Sequence, residues 1–182
     1  MKGFYSTVFY KIWKRFLTFF GDIYFATEPP KVKAVHLRKL LNLLKPGQIL
    51  ARKYTYYLDS YFIKGKYSHS GIYIGDGKMI HAVAEGVCEI DVLDFTKDSD
   101  GFIILQPPYK TEEDLYKAIK YAEQQIGKPY DFIFNDHDQS SFYCHELSWA
   151  ALKEGSVIIN PKESIVYASD LTDACESIYE AP

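Results

Sequence analysis

Two short apolar segments separated by a glycine-rich loop constrain the fold of this chain more than any other feature of its sequence. Residues 69–74 and 78–84 alternate in polarity as β-strands do, and Gly75-Asp76-Gly77 between them is typical of a hairpin. A two-residue loop would place His69 and His81 on opposite faces of this hairpin. A three-residue loop, with Gly77 in the left-handed conformation, places both histidines on one face. We expect this second register, because it also collects the isoleucines on the other face.

Other segments predict the elements that surround the hairpin. Short apolar runs predict strands at 48–53, 87–92 and 102–105, and helical spacing predicts helices at 31–44 and 144–153. A further helix is expected after the capping sequence that begins at Thr111. Helices therefore precede and follow a run of antiparallel strands. This order is typical of the α+β class, with one antiparallel sheet or small barrel packed by helices.

Cys144 lies in the first turn of the predicted helix 144–153, with Leu147 and Ala151 on the same face. The positive end of a helix stabilises a thiolate, so this position suits a nucleophile as well as a buried structural cysteine. The chain has three cysteines, Cys88, Cys144 and Cys175, at wide spacing. This pattern fits neither a disulfide framework nor a zinc site, and it favours a reducing, cytoplasmic location.

The histidines of the hairpin supply what a cysteine nucleophile needs. His69 could take the thiol proton, and His81 could hold the imidazole of His69 by a hydrogen bond. Glu85 has the same strand parity and is the alternative orienting residue. The backbone N–H of Cys144 would face a developing oxyanion. This arrangement requires the helix of Cys144 to cover the sheet face that carries both histidines.

Charge is unevenly distributed along the chain, whose formal net charge is −3. Residues 1–50 carry a net charge of +7 and the remainder carries −10, which argues against broad nucleic-acid binding. Residues 4–25 interleave aromatic and basic residues without a run long enough to span a bilayer. They predict either an amphipathic helix on a membrane surface or a helix packed on the domain.

The histidine hairpin, the segment Gly127-Lys128-Pro129-Tyr130 and the segment around Cys144 together resemble the NlpC superfamily of papain-like cysteine hydrolases. The histidines precede the cysteine, which resembles the permuted YiiX/YebB-like branch, related to the lecithin–retinol acyltransferases. The resemblance covers roughly residues 46–155. It implies a permuted papain-like catalytic domain, assigned to residues 46–182, after a helical N-terminal extension at 1–45. Where relatives often carry serine after the cysteine, this chain has His145.

By the same resemblance, Cys144 is the nucleophile, His69 the base and His81 the third polar residue. Tyr130 matches a tyrosine near the oxyanion and substrate site. Tyr73, which shares the face of the histidines, and Glu85 are also expected at the substrate site. The implied activity is cysteine-dependent cleavage of an amide or acyl bond in a peptide or lipid, without a cofactor. The alternatives are an acyltransferase or lipase-like enzyme acting on lipids, and a non-catalytic module that binds lipid or peptide. Asp136-His137-Asp138 is a poor metal site, and no metal is expected.

Overall fold

A computed structural model describes residues 8–21, 28–54, 65–134 and 139–182 of the protein. Its centre is a six-stranded, fully antiparallel sheet in the order β4-β3-β2-β1-β5-β6. The strands are β1 (Ile49–Lys53), β2 (His69–Gly75), β3 (Lys78–Val83), β4 (Gly86–Asp91), β5 (Gly101–Gln106) and β6 (Glu176–Glu180). The α+β class is therefore confirmed, and the sheet is open, not a closed barrel.

The β2–β3 hairpin has the predicted register but not the predicted loop. Asp76 and Gly77 form a two-residue turn with φ of 51° and 76°, and Gly75 faces Lys78. The pairing shifts between Tyr73 and Gly75, and Gly71 faces His81 beyond that shift. The three-residue loop was therefore wrong. A two-residue turn followed by a one-residue irregularity gives the same register as a three-residue loop, because either arrangement leaves one extra residue of β2 unpaired.

Helices pack on both faces of the sheet. The helices of the described residues are α1 (Val8–Gly21), α2 (Ala34–Leu43), α3 (Val92–Thr96), α4 (Glu112–Gln124), α5 (Cys144–Glu154) and α6 (Ala168–Ala174). The expected capping of α4 is present, because Thr111 Oγ1 accepts the N–H of Asp114 at 3.1 Å. Neither α3 nor the pair α6 and β6 was predicted. The aromatic, mixed sequence from Tyr54 to Ile63 indicates a short helix or loop, and residues 55–63 of it lie outside the described residues.

The sheet separates two hydrophobic clusters. The cluster on one face joins the sheet to α4 and α5, through side chains that include Ile49, Ile72, Ile80, Ala118, Leu147 and Ala151. The cluster on the other face joins it to α2 and α3, through Leu40, Leu50, Met79, Phe95, Phe102 and Ile104. Residues 49–51 of β1 are fully buried, because this central strand has a cluster on each side. The division of the chain at residue 45 stays a prediction.

Candidate active site

His69 and His81 form a direct hydrogen bond, with 2.9 Å between His69 Nε2 and His81 Nδ1. His69 is the first residue of β2, and His81 lies on β3 opposite Gly71, so the two rings are diagonal neighbours on one face. A side chain at position 71 would prevent this, since its Cβ would lie 2.7 Å from the Ile80 carbonyl oxygen and 3.1 Å from His81 Cβ. The pairing of the two histidines therefore depends on a glycine between them.

Phe95 and Arg52 complete the surroundings of the histidine pair. The ring of Phe95, on α3, stacks on His69 with centroids 5.3 Å apart and meets His81 edge-on at 5.7 Å. Arg52 is the β1 partner of His69, and its guanidinium lies 4.3 Å from the centre of the Phe95 ring. It also donates a hydrogen bond to the Phe95 carbonyl oxygen. One apolar ring and one cation therefore border both imidazoles.

The Cys144 thiol lies against the backbone at the start of β2. Its Sγ is 3.8 Å from the carbonyl oxygen of Ser68, the residue before His69. The N–H groups of Ser70, His145 and Cys144 itself also face the sulfur, and each of them favours the thiolate. Two of these belong to the first turn of α5, as expected for a nucleophile at a helix N-terminus. The sulfur therefore lies beside the backbone that flanks His69.

Helix α5 covers the opposite face of the sheet from the one that we expected. The side chain of Ser70 points towards α5, where its Oγ is 2.8 Å from His145 Nδ1 and 2.9 Å from Ser148 Oγ. Neighbouring residues of a strand point to opposite faces, so His69 points away from α5 and towards Phe95 on α3. The expectation that α5 covers the sheet face carrying His69 and His81 was therefore wrong for the body of the helix. Cys144 approaches His69 only because it is the first residue of α5.

Burial keeps the titratable groups of the site uncharged at neutral pH. It raises the pKa of the Cys144 thiol to about 11, despite the N–H groups that face the sulfur. Burial, reinforced by Arg52, lowers the pKa of His81 to about 4 and holds that of His69 well below its usual value. The resting pair is therefore a neutral thiol and a neutral imidazole, not the thiolate that the helix position alone suggested.

His145 forms a separate buried network behind Cys144. Its ring is 3% exposed, Nδ1 meets Ser70 Oγ, and Ser148 Oγ donates to the Cys144 carbonyl oxygen at 3.3 Å. Burial lowers the pKa of His145 to about 4. The network joins β2 to the first two turns of α5 through polar side chains and the Cys144 carbonyl oxygen. It therefore fixes the end of α5 that carries the thiol to the strand that carries His69.

The remaining candidate residues, Tyr130, Tyr73 and Glu85, lie in three different parts of the fold. Tyr130 forms an isolated bridge with Phe142, two residues before Cys144, so the Gly127–Tyr130 segment does lie beside the nucleophile segment. Tyr73 is at the far end of β2, where its hydroxyl accepts the Gly77 N–H at 3.0 Å. Glu85 lies in the exposed turn between β3 and β4, and the orienting contact to His69 comes from His81.

Metal binding finds no support in the described part of the chain. Within it, no group of three or more His, Cys, Asp or Glu side chains is arranged to hold an ion. The segment Asp136-His137-Asp138 lies outside the described residues.

Two residues of the site were missed in the sequence, Arg52 and Phe95. Arg52 lies in a predicted strand, but its contact with His69 follows from the pairing of β1 with β2, which no local pattern specifies. Phe95 lies on the five-residue helix α3, which is too short to show helical periodicity. The one available signal was Asp91, whose side chain accepts the N–H of Leu93 and so caps α3.

Comparison with known proteins gives one family and one fold. The model of the permuted papain-like amidase enzymes, the YaeF/YiiX or C92 family, matches residues 43–179. A solved structure titled metalloprotein yiiX from Escherichia coli O157:H7 is similar, with a TM-score of 0.61. It is 16% identical over 75% of this chain and 97% of that chain, a likeness that shows the fold alone. No curated protein matches the sequence. The permuted papain-like fold expected from the motifs is confirmed.

Proposed function

This chain belongs to the permuted papain-like amidase family, and on that premise we propose that it cleaves an amide or other acyl bond through an acyl-enzyme on Cys144. The observation that supports this most is the hydrogen bond of 2.9 Å between His69 and His81, beside the backbone that contacts the Cys144 thiol. The proposed nucleophile on α5, the proposed base on β2 and the proposed orienting residue on β3 therefore lie on neighbouring elements.

In the first step, the proton of the Cys144 thiol passes to His69, and the sulfur forms a bond to the carbonyl carbon of the substrate. Nε2 of His69 is engaged by His81, so Nδ1 is the nitrogen that receives this proton. The thiol and the imidazole of the resting site are both uncharged, and proton transfer therefore accompanies attack on the substrate instead of preceding it. Catalytic hydrogen bonds are commonly long without substrate, and His69 and Cys144 draw together when the substrate binds.

In the second step, the tetrahedral intermediate collapses. The carbon–nitrogen or carbon–oxygen bond to the leaving group breaks, and the imidazolium of His69 gives its proton to the departing amine or alcohol. The backbone N–H of Cys144, at the first position of α5, stabilises the oxyanion that forms transiently. Water then attacks the carbonyl carbon of the thioester while His69 takes one of its protons. The carbon–sulfur bond breaks, the carboxylic acid leaves, and His69 returns its proton to the Cys144 sulfur, which restores the thiol.

His81 acts through His69. Because it bonds to Nε2, it fixes the orientation of the imidazole and selects the tautomer whose Nδ1 is unprotonated. The bond joins two neutral rings, so in this tautomer the His69 Nε2–H donates and His81 Nδ1 accepts. When His69 becomes positively charged during the reaction, this bond strengthens, which lowers the barrier.

The acyl-enzyme is tested by incubating the protein with p-nitrophenyl acetate and measuring the mass of the intact protein. The expected result is one acetyl group, mapped to Cys144 by peptide analysis and lost slowly as water completes the turnover. Cys144→Ala should abolish both the adduct and the burst of p-nitrophenol. The matched controls Cys88→Ala and Cys175→Ala remove the other two thiols and should keep both.

Acetylation that is spread over the three cysteines, or that persists in Cys144→Ala, would contradict the proposal. The same assay separates hydrolysis from acyl transfer. If an added amine or alcohol captures the acetyl group faster than water does, the enzyme is an acyltransferase.

A further inference from the structure

Helix α1 exposes an apolar face, unlike a typical surface helix, which buries such a face on its own protein. The exposed fractions of Phe9, Ile12, Trp13 and Phe16 are 69, 62, 41 and 49%. These four residues, which we call the α1 stripe, follow the spacing i, i+3, i+4 and i+7 of one helical face. Trp13 and Phe16 stack on each other with centroids 6.0 Å apart, so the aromatic surface is continuous.

The opposite side of α1 contacts the protein. Tyr10 is 7% exposed and meets the ring of Phe132 edge-on at 6.4 Å, and Lys14 Nζ lies 5.5 Å from the centre of the same ring. Phe132 in turn packs on Tyr130 with centroids 4.8 Å apart. The helix therefore rests on the segment that pairs with Phe142 beside the candidate nucleophile, and the α1 stripe faces away from that contact.

The charge of α1 identifies the kind of surface that fits the stripe. The helix carries Lys11, Lys14 and Arg15 and no acidic residue. With about 100° per residue, Arg15 lies about 60° from the Ile12 edge of the stripe, whereas Lys11 and Lys14 lie on the other side of the helix. Aromatic residues on one face and basic residues on the polar face are the composition of helices that lie in the interface of an anionic bilayer.

A second copy of the chain fits this surface less well. One face of a 14-residue helix offers on the order of 200 Å², whereas stable protein interfaces bury about 800 Å² on each partner. A membrane surface is not limited by the area that one helical face offers. Within the described residues, no helix is long and apolar enough to cross a bilayer.

We propose that α1 is a membrane-docking helix, which inserts the α1 stripe into the interface of an anionic lipid bilayer while Tyr10 holds it on the catalytic body. Docking in this way does not depend on the chemistry of Cys144. It would bring the candidate site to a surface rich in acyl chains.

Vesicle co-flotation of the full chain tests this proposal. Vesicles of phosphatidylcholine with phosphatidylserine should carry the protein, and vesicles of phosphatidylcholine alone should carry much less. The variant Ile12→Asp/Phe16→Asp should lower the partition coefficient by about tenfold or more, because each substitution removes a large apolar side chain from the interface. The variant Lys11→Gln/Arg15→Gln should lower binding to the anionic vesicles by about tenfold.

The matched control is Ile158→Asp, because Ile158 is 79% exposed and belongs to the segment that follows α5, not to α1. It should bind as the wild type does, and circular dichroism should show that all variants melt alike. Two results would overturn the proposal. One is equal flotation of the wild type and Ile12→Asp/Phe16→Asp on both kinds of vesicle. The other is a wild-type dimer that Ile12→Asp/Phe16→Asp dissociates, with no vesicle binding, which would assign the stripe to a second copy.

Discussion

The two histidines of the site are held neutral by an apolar ring and a cation. Arg52 and the ring of Phe95 border both imidazoles, and no carboxylate contacts either ring among the described residues. Burial and the nearby cation both disfavour imidazolium. We therefore expect the proposed base, His69, to be unprotonated over a wide range of pH, and the acid limit of the proposed activity to lie below the usual histidine range.

The role of Arg52 can be measured in the pH dependence of acylation. Arg52→Gln removes the cation, so the pKa of His69 and of His81 should rise and the acid limb of the acylation rate should move to higher pH. Arg52→Lys keeps the charge and should restore the position of the limb, even if its rate differs. Stopped-flow release of p-nitrophenol across the acid range gives these profiles. Three superimposable limbs would show that Arg52 has no electrostatic part in the site.

At the level of elements, the β2–β3 hairpin sets the distance between the two imidazoles, and Gly71 is its critical position. Gly71→Ala would place a Cβ against the Ile80 carbonyl oxygen and close to His81 Cβ. The strands must then separate and displace His81, so acylation should slow by about 10²-fold, as for a small misplacement of a catalytic group.

The matched control is Gly77→Ala on the same hairpin. Gly77 has φ of 76°, and its added Cβ would meet only the Asp91 carboxylate at 3.8 Å. This change should cost about 1–2 kcal/mol of stability, from backbone strain, and leave the acylation rate nearly unchanged. Thermal melts and burst rates of the two variants decide the matter. Equal acylation rates in Gly71→Ala and Gly77→Ala would mean that the histidine contact is dispensable.

The hairpin also shows how far the sequence predicts the site. The glycine at position 77 and the clustering of the isoleucines on one face were enough to predict the register. A three-residue loop and a tight turn with a shifted pair could not be told apart, because they give identical pairing beyond the turn. The identity of the catalytic candidates followed from the same alternation and from the helix start at Cys144. The face that α5 covers could not be predicted in this way. The alternation of a strand shows which of its residues share a face, but not which face a distant helix packs against.

At the scale of the whole molecule, the buried titratable groups define a window of maximal stability. His69, His81 and His145 all have a lowered pKa in the folded state, so between about pH 6.5 and pH 4 the unfolded chain binds more protons than the folded one. Stability therefore falls as pH drops through this range. Cys144 and Cys175 have a raised pKa in the folded state, of about 11 and about 12. The folded chain therefore binds more protons above the pKa of a free thiol, and stability also falls as pH rises through that range.

Urea unfolding at a series of pH values tests this window. The midpoint should be highest between about pH 6.5 and 9 and should decline on both sides. His145→Asn removes one of the three histidines and should make the acid decline shallower, whatever its effect on the stability at neutral pH. A midpoint that stays constant from neutral pH down to about pH 4 would contradict the buried, neutral state of these rings.

The central claim is that His69 is the base that serves Cys144, and the acylation burst measures this most directly. His69→Ala should slow acetylation of Cys144 by about 10²–10⁴-fold, the usual contribution of a general base. His36→Ala is the matched control, because His36 lies on α2 and bonds locally to the Lys33 N–H. It should acylate at the wild-type rate. A folded His69→Ala variant with a wild-type burst would contradict the account.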